Sequence, residues 1–377
     1  MGFFLAWVFN SAAEPFQDLS FDAALLRAAQ ENKIVLVDFF TTWCQPCKML
    51  DETTWKDPAV IGLLREKTVA LRIDAEKEAP LAQRYNVHAY PTVALIKPDG
   101  TMIDGLVGYR DAKTFQADFL ASLSGKTSFM RAQEAVEKAQ GDAQKTAQAR
   151  FQLGQELVRE GKDQEALAEY LWCYDVGMAQ VPAMVGVRDS FLTMSIGQLG
   201  KRYAPAKEAL QTRRKAAGKK LEENRADMGA LLDFVALTDA LEGKQAVLAY
   251  FDALPPGDPR RPLVGKLVFR QFLEAKRYGD AVEARPYVTF QAEFAAMLNA
   301  AQSPSQQALP ENARERLHAY VLEDGAIEAE ALAGAGKLDD AGELVGKILA
   351  MDKSEKTRAM LHEHLTRAGH AELLKAE

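Results

Sequence analysis

Cys44 and Cys47, three positions apart, are the residues of this chain best suited to do chemistry. They lie in Trp43-Cys44-Gln45-Pro46-Cys47-Lys48, and the remaining cysteine, Cys173, is far downstream. A β-branched and aromatic run, Ile34-Val35-Leu36-Val37-Asp38-Phe39-Phe40, precedes the pair, and a helix is expected from Lys48 onward. This strand-to-helix context says more than the spacing alone. A helix N-terminus presents unpaired N–H groups and a partial positive charge, which stabilise a thiolate. Thiols so placed titrate at about 3.5 to 7.5. A thiolate attacks a disulfide, so Cys44, at the helix start, is the expected nucleophile. Cys47, one turn inside, is placed to attack the mixed disulfide that forms. The competing reading is half of a zinc site, which wants about four ligands. The chain has no second Cys-x-x-Cys, and His88 is the one histidine in its N-terminal half. Redox chemistry is therefore expected, with no metal and no bound cofactor.

The elements that must position this pair are legible in the apolar patterning. Phe21 to Gln30 has helical spacing. Ile34 to Phe40 is apolar on both faces, as a central strand under helices should be. Val69 to Ile73, Thr92 to Ile96 and Met102 to Val107 are the further strands, with Pro98-Asp99-Gly100 as a turn. Ala79 to Tyr85 is a short helix, and Asp111 can cap a last helix through Leu123. Six prolines fall within residues 1–98 and none follows until Pro182, which marks a change of architecture. After Gly125 the period is helical: Phe129, Ala132, Val136 and Ala139 are spaced 3, 4 and 3.

Two motifs carry a family resemblance. Asp38-Phe39-Phe40-x-x-Trp43-Cys44-x-Pro46-Cys47-Lys48 resembles the thioredoxin superfamily signature. Val87-His88-Ala89-Tyr90-Pro91-Thr92-Val93, with Pro91 44 positions beyond Cys47, resembles that family's cis-proline loop, and Val107-Gly108 is a third match. The resemblance covers roughly residues 15–125. It implies that Cys44 attacks, that Cys47 resolves, and that Asp38 is a buried carboxylate with a raised pKa. Asp38 would accept or relay the Cys47 proton through water. Pro91 would be cis, bringing the Tyr90 backbone beside the disulfide to pair with an extended substrate. Trp43 would form an apolar lip. Two departures stand out. Gln45 replaces the glycine of thioredoxin itself, and Ala70 falls where thioredoxin has a lysine facing the buried Asp. The surroundings of Asp38 are therefore expected to differ. The helix after the site also breaks sooner, at Asp51-Glu52-Thr53-Thr54-Trp55-Lys56-Asp57-Pro58-Ala59-Val60. That is similar to the soluble C-terminal domain of thiol:disulfide interchange proteins. Proline before the second cysteine resembles the reducing members.

Farther on, Leu153-Gly154, Leu157, Gly161-Lys162, Ala166 and Tyr170 resemble a tetratricopeptide repeat. Weaker echoes occur at Leu199-Gly200-Lys201, at Glu274 to Tyr278 leading to Ala281, and at Gly336-Lys337-Leu338 leading to Ala341 and Val345. Cys173, on the face of Ala166 and Tyr170, reads as a small core thiol. His362-Glu363-His364 lacks the spacing of a zinc-binding pair and reads as a solvated helix surface. Residues 200–220 carry eight Lys and Arg against Glu208, a solvated face by default and a docking surface for an acidic partner in the sharper reading.

Composition bounds the rest. The net charge of −7, from 46 basic and 53 acidic residues, leaves no footprint for nucleic acid. No run of about 18 apolar residues occurs, which excludes a transmembrane helix. Phe3 to Phe9 is an apolar run followed by Asn10-Ser11-Ala12-Ala13, without a basic residue before Phe3. It suits a truncated export signal and a packed terminal segment equally. The expected compartment is cytoplasmic if the chain starts as written, and periplasmic if residues 1–13 are a signal remnant.

The expected architecture is an α/β thioredoxin fold over residues 15–125, a central mixed sheet flanked by helices, followed by an all-α helical-hairpin, tetratricopeptide-like solenoid over 126–377. The expected function is a thiol–disulfide oxidoreductase that reduces protein disulfides, recharged by an electron-donating reductase or thiol partner. Client proteins or a partner would bind the repeats. The alternative is a chaperone-like or scaffold protein whose repeats carry the function and whose redox pair is regulatory.

Overall fold

Alternate residues of β1 (Ile34–Phe40) enter two different cores, because side chains of a strand point to opposite faces. Val35, Val37 and Phe39 pack with Ala24 and Ala28 of α1 (Phe21–Glu31) on one face of the sheet. Leu36 faces the other way, toward Leu50, Trp55, Leu64, Phe115 and Phe119. The structure is a computed structural model that describes residues 15–301, 303 and 311–374. The Phe3 to Phe9 run lies outside these residues, as does most of 302–310.

The sheet has four strands in the order β2-β1-β3-β4, with β2 (Thr68–Asp74), β3 (Thr92–Ile96) and β4 (Met102–Val107). β2 runs parallel to β1, β3 runs antiparallel to it, and β4 pairs back on β3. The parallel β1–β2 connection needs a crossover, which is made by α2 (Gln45–Glu52) and α3 (Pro58–Lys67). Between them Asp57 accepts the N–H of Ala59 and Val60 and caps α3, with Pro58 in the first helical turn. This is the early break anticipated after the cysteines. The helix α2 starts at Gln45, three residues before the expected start, because Pro46 sits in its first turn, where its missing N–H costs nothing. α4 (Ala79–Arg84) leads to β3, and Asp111 caps α5 (Ala112–Leu123) through the Thr114 N–H at 2.8 Å.

The described residues fall into two units that divide between Arg188 and Asp189. The first includes α6 (Ser128–Lys138), α7 (Ala143–Arg159) and α8 (Asp163–Trp172) together with the sheet. Polar bonds tie these helices to the sheet edge. Asp104 of β4, almost fully buried, accepts from Ser122 Oγ at 2.6 Å and from the Ser128 N–H at 2.8 Å. The Arg159 guanidinium donates to the Gly105 carbonyl, and Asn86 Nδ2 donates to the Arg159 carbonyl at 3.1 Å. Cys173 is buried, its sulfur 3.6 Å from the Ala147 carbonyl, as a core thiol should be.

Every regular element among the second unit's described residues is a helix, packed around Phe251, Phe272, Phe290, Leu332 and Leu361. Helical hairpin turns at 161, 276 and 336 share one geometry. Gly161, Lys276 and Gly336 have φ of +72°, +55° and +77°. The next residue's N–H returns to the carbonyl five back: Lys162 to Leu157, Arg277 to Phe272, and Lys337 to Leu332. Each turn is followed by a wholly buried alanine, Ala166, Ala281 and Ala341. The His362-Glu363-His364 expectation is corrected here. His364 is 5% exposed, because on the helix Glu355–Ala368 it shares the inward face of Leu361 and Leu365. Its Nδ1 lies 2.7 Å from Glu330 Oε2, so the buried acid and imidazole satisfy each other. Among the described residues no helix is long and apolar enough to cross a membrane.

Candidate active site

Cys44 is the N-cap of α2. Its backbone is extended, and its sulfur accepts the Cys47 N–H at 3.1 Å. The two cysteines are joined as a disulfide and are 3% and 2% exposed. The helix terminus thus directs an N–H and the positive end of its dipole at the Cys44 sulfur, which favours the thiolate once the bond is reduced.

The loop before β3 meets Trp43, the residue before Cys44, through the Tyr90 ring. The Tyr90–Pro91 bond is cis. The Pro91 carbonyl accepts the Gly108 N–H at 2.8 Å, and Thr92 Oγ1 donates to the Ala89 carbonyl at 2.7 Å, so both sides of the bend are held. Trp43 is 65% exposed, and its ring meets that of Tyr90 edge-on at 6.0 Å. Its indole N–H donates to Glu76 Oε1 at 2.9 Å. An exposed tryptophan fixed by one hydrogen bond and one aromatic contact offers apolar surface beside the disulfide at little entropic cost.

Asp38 lies on the sheet face that α2 covers and is 1% exposed. Burial pushes its pKa up to about 7, against the pull of the Arg72 cation and of the Trp55 indole. Trp55 Nε1 donates to Asp38 Oδ2 at 3.1 Å, while Oδ1 has no hydrogen-bond partner among the described residues. Arg72 is the residue opposite Asp38 in the β1–β2 register, with Nε 3.5 Å from Oδ2. Ala70, the position expected to face the buried Asp, pairs instead with Leu36, and a cation, Arg72, stands opposite Asp38 two residues later on the same face of β2. Arg72 Nη2 also donates to Asp51 Oδ2 on α2 at 2.6 Å, and the guanidinium lies 4.3 Å over the Phe40 ring.

Of the six expected site residues, Cys44 and Cys47 form the disulfide, Trp43 meets the Tyr90 ring, Pro91 follows the cis bond, and Asp38 is buried on the sheet face that α2 covers. Arg72, Asp51, Trp55 and Glu76 were missed. The available signal for Arg72 was a lone charge within the apolar strand Val69-Ala70-Leu71-Arg72-Ile73. Among the described residues no group of three or more His, Cys, Asp or Glu is arranged to hold a metal.

A mixed sheet, a cysteine pair at a helix N-terminus, a cis-proline just before β3 and a buried carboxylate on β1 make up a thioredoxin-like domain. A family model for the thioredoxin-like domain matches residues 21–121. A thioredoxin H-type from Oryza sativa subsp. indica is 35% identical over 94 residues, 24% of this chain and 70% of that protein. Another, from Chlamydomonas reinhardtii, is 38% identical over 92 residues, 24% of this chain and 75% of that protein. Among solved structures, a putative disulphide-isomerase from Bacteroides thetaiotaomicron is 39% identical and covers 29% of this chain and 91% of its own, with a TM-score of 0.27. The chain belongs to the thioredoxin family, through a domain that makes up about a quarter of its length.

Proposed function

We propose that the protein reduces protein disulfides through the Cys44/Cys47 dithiol. The observation that carries this reading is the Cys44 sulfur at the N-cap of α2, where it accepts the Cys47 N–H. The Cys44 thiolate attacks one sulfur of a substrate disulfide. A Cys44–substrate bond forms, and the substrate's other sulfur leaves as thiolate and takes a proton from solvent. Cys47 then gives its proton to Asp38 and attacks the Cys44 sulfur. The second substrate sulfur leaves with the bonding pair. Two electrons pass to the substrate, the enzyme is left as the disulfide, and an external thiol or reductase must recharge it. The Tyr90 backbone at the cis bond and the exposed Trp43 face receive an extended substrate strand. Proline at position 46, by resemblance to reducing members, supports the reducing direction. The helices beyond residue 126 are read as a surface for clients or a partner, supported by their hairpin stacking.

Reduction of a small disulfide-bonded test protein, with dithiothreitol as donor, tests the reading. Wild type should turn over, Cys44→Ser should be inactive, and Cys47→Ser should accumulate a mixed disulfide with substrate. Equal rates for wild type and both variants would refute it. Adducts trapped by Cys47→Ser in the full chain would identify clients.

A further inference from the structure

The Asp38 carboxylate faces one cation and one other acid. Arg72 of β2 lies 3.5 Å away, and Asp51 of α2 holds the far side of the same guanidinium at 2.6 Å. Trp55, after α2, contributes a neutral donor, and Val93, opposite on β3, contributes no charge. Asp51 follows Cys47 by four residues, so the two share one face of α2. A continuous chain therefore runs from β1 through β2 to the redox helix: Asp38, Arg72, Asp51, with Cys47 one turn away.

We propose that Arg72 is the positioning residue for the resolving proton: by dividing its charge between Asp38 and Asp51, it sets the pH at which Asp38 takes the proton of Cys47. A guanidinium does not deprotonate in this range, so the cation is permanent. Its Nε, 3.5 Å from Asp38, makes no hydrogen bond, while its Nη2 donates to Asp51. Asp51 thus acts against Asp38 ionisation twice, by its own charge and by drawing Arg72 toward itself. The two neighbours must act in opposite directions. Loss of Arg72 leaves Asp38 beside an unpaired acid and raises the pH needed for resolution. Loss of the Asp51 charge frees Arg72 for Asp38 and lowers it.

This inference rests on the disulfide-exchange reading, and the experiment separates the two. The reduced full-length protein is mixed with a chromogenic aromatic disulfide. Cys44 attack releases one coloured thiolate, and Cys47 resolution releases the second. The second rate is measured against pH for wild type, Arg72→Met, Arg72→Lys and Asp51→Asn. The midpoint should move up in Arg72→Met, move down in Asp51→Asn, and lie between wild type and Arg72→Met in Arg72→Lys. Each unit of displacement changes the rate about tenfold on the acid limb. Should Arg72→Met not fold, the Asp51→Asn and Arg72→Lys profiles still carry opposite signs. Superimposed profiles, or shifts in one common direction, would overturn the role of Arg72. Absence of the first release would instead defeat the exchange reading, and this inference with it.

Discussion

The Trp55 indole N–H donates to Asp38 Oδ2 at 3.1 Å, from a side chain that is itself 5% exposed and packed edge-on against Phe115 at 5.0 Å. A carboxylate so enclosed is easier to keep protonated than ionised. Its pKa stands at about 7 in the folded chain against an ordinary 3.8. Between those values the native state holds a proton that the unfolded chain has lost, so stability falls as pH rises through that window. The full penalty, on the order of 4 kcal/mol, is in place above pH 7 and absent below the ordinary value. Asp38→Asn removes the titration. Urea unfolding followed by tryptophan fluorescence should show this variant gaining on wild type between pH 5 and pH 8. Parallel pH curves for the two proteins would contradict the assignment.

Cys173 should be chemically silent in the native protein. Burial pushes its thiol up to about 12, and it is fully enclosed. Iodoacetamide labelling of the reduced chain at pH 7, read by peptide mass, should modify Cys44 and leave Cys173 free until denaturant is added. Native labelling of Cys173 at a comparable rate would mean that the α7–α8 hairpin opens readily.

Gly154→Ala should destabilise, although alanine is the better helix former by about 1 kcal/mol. An added Cβ would lie 2.5 Å from the Tyr170 ring. Overpacking of this kind costs about 1–3 kcal/mol, enough to outweigh the propensity gain. Gly334, where the Cβ would meet Tyr278 at 2.3 Å, should behave alike. Thermal melts of both variants check this, and a raised midpoint in either would show that the tyrosine can move aside.

Arg285 neutralises a buried acid in the second unit. Its Nε lies 2.7 Å from Glu328 Oε2, and Glu328 is wholly buried. Burial raises Glu328 to about 7 even with Arg285 present. Arg285→Ala should cost about 3–5 kcal/mol by stranding the charge. The loss should be larger at pH 8 than at pH 6, because protonation relieves it. Adding Glu328→Gln should restore much of the stability. A pH-independent loss in chemical denaturation would point to lost packing against Phe269 and Phe290 instead, since the guanidinium lies 4.9 and 4.6 Å over those rings.

The redox strand and the cis-proline loop were legible because each is written in a short contiguous segment. Ile34 to Phe40, Cys44 to Cys47 and Tyr90-Pro91 need only local pattern and a family resemblance to be placed. The helix was expected from Lys48, but it starts at Gln45, with Pro46 in its first turn. His364 was placed on the surface because a charged His-Glu-His triplet reads as a solvated helix face, while its place one turn from Leu361 and beside Leu365 turns it inward.

The parts assigned to Asp38 and Pro91 came from the family resemblance. What the sequence by itself determined is the elements: the strand before Cys44, the helix that carries Cys47, the further strands of the sheet and the helical pattern after Gly125. Those depend on residue type and on periods of two or 3.6 residues, which a single chain displays openly. Only the tertiary structure decided which of their side chains meet. The β1–β2 register sets Arg72 against Asp38, and α2 brings Asp51 to the same guanidinium. The α7 terminus meets Asn86. These pairs are 34, 21 and 73 residues apart, counted from Asp38–Arg72, Asp51–Arg72 and Asn86–Arg159. No local period links them, since they arise from packing.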